Sequence, residues 1–62
     1  MDEITRAAYA FIERFGPSAP VEAAQRAVEL TEAGDHRGCD RWLRIKSEIE
    51  TIIRESSGAR KN

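Results

Sequence analysis

His36, Cys39 and Asp40, with Asp35 just ahead of them, are the residues whose types and spacing could do chemistry. An imidazole and a thiol three residues apart on a helix share a face, and a carboxylate can orient the imidazole. That is the start of a metal site or of an activated thiol. The donor count decides against both. A structural zinc site takes four ligands, and one histidine with one cysteine falls short of that number. A lone cysteine has no second thiol to resolve it, and it more often behaves as a small hydrophobe. The carboxylates fall on helix exteriors, whereas general acid–base work needs a pocket that shifts a pKa. No glycine-rich phosphate loop is present. No catalytic residue, metal ligand or cofactor is assigned, and the expectation is a protein that is not an enzyme.

Arg37, Arg41 and Arg44 form the other candidate, one helical stripe at i, i+4 and i+7 that could hold phosphates or an acidic partner. Glu48 continues the line and Asp40 lies close, so the simpler expectation is a solvated face that pairs with itself. The chain as a whole carries 10 basic and 11 acidic side chains, net -1. Without Arg60 and Lys61 near the end the body is more acidic still, which is the wrong sign for a nucleic-acid binder. A helix-turn-helix reading of the second and third helices is a poor third on the same ground. The arginine stripe, together with Leu43 and Tyr9, is the candidate interaction surface.

These residues are positioned by a stop followed at once by a start. Gly34 suits the left-handed position that ends one helix, and Asp35 is a good side-chain cap for the next. Trp42 then stands early in the new helix as its largest anchor. Gly38, inside the first turn, costs up to about 1 kcal/mol against alanine. Either it lets the third helix lie close to the end of the second, or helix starts simply tolerate glycine.

Three helices are predicted, over about 3–15, 20–33 and 36–55. In the first, Ile4, Ala7, Ala8, Phe11, Ile12 and Phe15 make one apolar stripe at helical spacing, with Asp2 and Glu3 at the positive end of the dipole. Gly16 and Pro17 end it. Ser18 or Ala19 then caps the second helix, Glu22 reaching back if the cap is Ala19. The short linker makes the first two helices neighbours. The second helix shows Val21, Ala24, Ala27, Val28, Leu30 and Thr31 as a shallow face. The third carries Trp42, Ile45, Ile49, Ile52 and Ile53 as its core line. Cys39, Leu43 and the stem of Lys46 widen that line beyond what one antiparallel neighbour needs. Glu22 with Arg26, Asp40 with Arg44, Arg44 with Glu48, Lys46 with Glu50 and Glu50 with Arg54 are spaced to pair along the surface.

The fold class is therefore all-α: a small three-helix bundle, or a helical hairpin plus one helix, with a single domain over 1–55 and a disordered tail over 56–62. Its 62 residues bury only about 60% of their unfolded surface, and one cysteine cannot form an internal disulfide. Nine alanines favour close helix packing over bulk. No apolar run approaches a membrane span, and no basic-then-apolar leader opens the sequence. The expectation is a cytoplasmic protein–protein interaction or regulatory module that self-associates through the surplus face of the third helix. The alternative is a nucleic-acid-associated accessory protein using Arg37, Arg41, Arg44 and the basic tail.

The pattern Ala-Val-Glu-Leu-Thr-Glu-Ala-Gly-Asp, then Gly38, Trp42 and Ile45, resembles short helical proteins of alphaproteobacteria and their phages, a domain of unknown function. Those proteins carry a Gly-Asp, two residues, Gly, three residues, Trp, two residues, Ile segment after an alanine-rich helix. Phe-Gly-Pro-Ser-Ala upstream fits the same pattern. The likeness covers most of residues 4–53 and implies a helical fold and no activity. A looser likeness is to a single tetratricopeptide-type hairpin, with Gly34-Asp35 at the turn, Gly38 at the small position and Trp42 at the aromatic one. One such unit makes no solenoid, and implies a helix-pair binding module.

Overall fold

The computed structural model describes residues 1–59, and over them the fold is all-α. Helix α1 spans Glu3–Phe15, α2 Ala19–Glu32 and α3 His36–Ala59, with a 3-10 turn at Gly16–Ser18 between the first two. The third helix continues past its expected end at Glu55, so the tail expected over 56–62 begins as helix; Arg60, Lys61 and Asn62 lie outside the described residues.

Helix α1 starts at Asp2, whose Oδ1 accepts the Thr5 backbone N–H at 2.7 Å. That bond holds the Asp2 carboxyl below the ordinary aspartate value. The stabilisation it gives α1 is complete above that ordinary value and is lost as pH falls through the lowered one. The whole predicted stripe packs inward, Ala8 fully and Ile4, Ala7, Phe11, Ile12 and Phe15 in part.

Gly16 breaks the ladder with φ 58, and the backbone is right-handed again by Ser18 and Ala19. Ser18 is the residue before α2 and makes no side-chain capping bond, whereas Ala19 is already inside the helix and fully buried. The alternative of Ala19 as a cap served by Glu22 is therefore corrected. The joint is a bend in a nearly continuous helical path, so α1 and α2 touch each other far less than either touches α3. Both α1 and α2 pack chiefly on α3.

The reversal lies between α2 and α3. Gly34 takes φ 82 and its N–H donates to Thr31 O at 3.0 Å, while the Asp35 N–H donates to Leu30 O at 2.8 Å. These two bonds satisfy carbonyls that the end of α2 would otherwise leave open, the pattern of a Schellman stop. Asp35 then serves the next helix: its Oδ1 accepts the Gly38 N–H at 2.9 Å and its carbonyl accepts the Cys39 N–H at 3.0 Å. A stop and a start share one residue.

Gly38 owes its place to that cap, not to contact with the end of α2. A Cβ there would sit 2.5 Å from Asp35 Oδ2. Gly38→Ala should thus gain up to about 1 kcal/mol of helix propensity and lose about as much capping, for a net change near zero. In an Asp35→Ala background the same substitution should stabilise by most of that amount. A double-mutant cycle in urea measures the difference, and additivity would reject this account.

The core is thin. Ala8, Ala19 and Ala23 pack with Ile45 and Ile49, the largest side chains to be fully buried. Trp42, expected at the centre, is only partly buried; its ring lies 5.0 Å from Phe11 at 55°, and Phe11 lies 4.8 Å from Phe15. Helix α2 differs most from expectation. Its buried line is Ala19, Ala23 and Ala27, while Val21 and Val28 are exposed at 67% and 55%. Helices draw close where alanine faces alanine-sized gaps, and the isoleucines of α3 supply the bulk.

Candidate docking groove

Turning α2's alanines inward leaves its valines on an outer seam beside the surplus face of α3. Between them runs an open groove of about 460 Å³. Ala24, Ala27, Val28, Thr31 and Glu32 line it from α2, and Cys39, Leu43 and Lys46 from α3. The lining is almost wholly apolar. Leu43 and Val28 are exposed at 48% and 55%, so the rim is greasy on both sides. Lys46 lays its stem along the wall and carries its ammonium out to Glu50 Oε2 at 2.8 Å.

Cys39 sits at one end of this groove, partly buried, its Sγ 3.0 Å from Thr31 Oγ1. The Thr31 hydroxyl has one proton and lies 3.0 Å from the Ala27 carbonyl. The hydroxyl therefore donates either to that carbonyl or to the Cys39 sulfur. His36, Asp35 and Asp40 are exposed around the turn. Among the described residues no three His, Cys, Asp or Glu side chains gather to hold a metal ion.

The arginine stripe faces elsewhere. Leu43 and Arg41 are two residues apart, about 200° around the helix, and so point in opposite directions. Arg41 Nη2 meets Glu3 Oε2 at 2.8 Å, tying α3 to the start of α1 and holding the Glu3 carboxyl below its ordinary value. Thr5 Oγ1 donates to Glu48 Oε2 at 3.4 Å on the same side. Arg37 and Arg44 are exposed, and among the described residues no ion pair engages them. Tyr9 is exposed on α1. The five candidate surface residues are thus not one surface: Leu43 belongs to the groove, and Arg41 meets the start of α1 on the other side of α3.

Of the surface pairs expected within helices, Lys46–Glu50 forms. Glu22–Arg26, Asp40–Arg44, Arg44–Glu48 and Glu50–Arg54 do not come within ion-pair distance. Glu50 is already held by Lys46, and exposed pairs gain too little over water to fix two long side chains. The sequence showed the α3 wall of the groove but placed Val21, Ala24 and Val28 in the core. The alanines at 19, 23 and 27, spaced i, i+4 and i+8, were the signal for the true inner face.

Comparison of this chain with protein-family models, with curated proteins and with solved structures gives no match.

Proposed function

We propose that this protein is a non-enzymatic interaction module whose docking surface is the apolar groove between α2 and α3. One observation carries the reading: Val28 and Leu43 stand exposed on the two sides of a groove whose floor is alanine. Contiguous exposed apolar surface of this kind marks binding sites on folded domains. Small residues in the floor let an incoming helix approach closely, the mode by which amphipathic helices lie in grooves. Carboxylates on helix exteriors favour the non-enzymatic reading, and a cytoplasmic setting suits a lone thiol. Among the described residues, no helix is long and apolar enough to cross a membrane. The nucleic-acid alternative retains Arg37 and Arg44 but shares Arg41 with Glu3.

An apolar fluorophore such as anilinonaphthalene sulfonate tests the groove directly. At high dilution it should bind the native chain saturably, and Leu43→Glu should abolish binding while far-ultraviolet dichroism stays unchanged. Binding that survives Leu43→Glu removes the groove as the docking surface.

A further inference from the structure

We draw no further inference here: the strongest candidate, the occupant of the open apolar groove between α2 and α3 with Val28 and Leu43 on its two sides, belongs to the surface already described, and nothing in the structure shows what covers it.

Discussion

Ile49→Ala is expected to cost about 2–5 kcal/mol in urea denaturation followed by far-ultraviolet dichroism, and more than Trp42→Ala. Ile49 is wholly buried and belongs to the cluster of Ala8, Ala19, Ala23 and Ile45, where all three helices meet. The alanines that α1 and α2 contribute to this cluster are too short to fill the space an isoleucine leaves, so a cavity persists and adds to the lost transfer energy. A core of this size rarely supplies more than about 3–5 kcal/mol in total, so the variant should be largely unfolded at room temperature. Judged from its size alone, Trp42 ranks first, at about 3–5 kcal/mol for a buried large aromatic. Its partial exposure lowers that expectation to the bottom of the range, because part of the ring never leaves water. What remains is the tilted contact with Phe11. A loss under about 1 kcal/mol for Ile49→Ala would show that the helices do not pack as described.

The elements were legible in the sequence for reasons that differ along the chain. Helix α1 mixes phenylalanine and isoleucine with charge at helical spacing, so the residues with the most to gain from burial are the ones buried. The Gly34-Asp35 turn was legible because two local requirements, a positive φ and a capping carboxylate, each select few residue types. The face of α2 was not legible by hydrophobicity. Valine outweighs alanine in any such measure, yet burial there is decided by how closely α3 can approach. That depends on the partner's isoleucines, which no local window contains. The groove was half legible for the same cause: Cys39, Leu43 and Lys46 were recognised as surplus on α3, whereas their counterparts Ala24 and Val28 were placed inside. The bend at Gly16 was read as a linker that makes α1 and α2 neighbours, because glycine followed by proline ends a helix whether the chain then bends or reverses. Only the dihedrals after it separate the two.

Ala23→Leu and Ala24→Leu should have opposite fates, although the residues are adjacent and the change is identical. Ala23 is fully buried against Ile45 and Ile49, and a leucine there must push α2 away from α3. Overpacking of that kind costs about 1–3 kcal/mol, occasionally more. Ala24 lines the open groove, where the added carbons find empty space and wall contacts with Leu43 and Val28. Leucine is nearly as good a helix former as alanine, so Ala24→Leu should leave the stability of the dilute chain within about 0.5 kcal/mol of the parent. The pair separates inner from outer face with no change in composition. In thermal melts at high dilution, equal losses at both sites would mean the groove is filled by the chain itself, and the exposed valines would need another explanation. A loss at Ala24 alone would turn α2 over, returning Val21 and Val28 to the core.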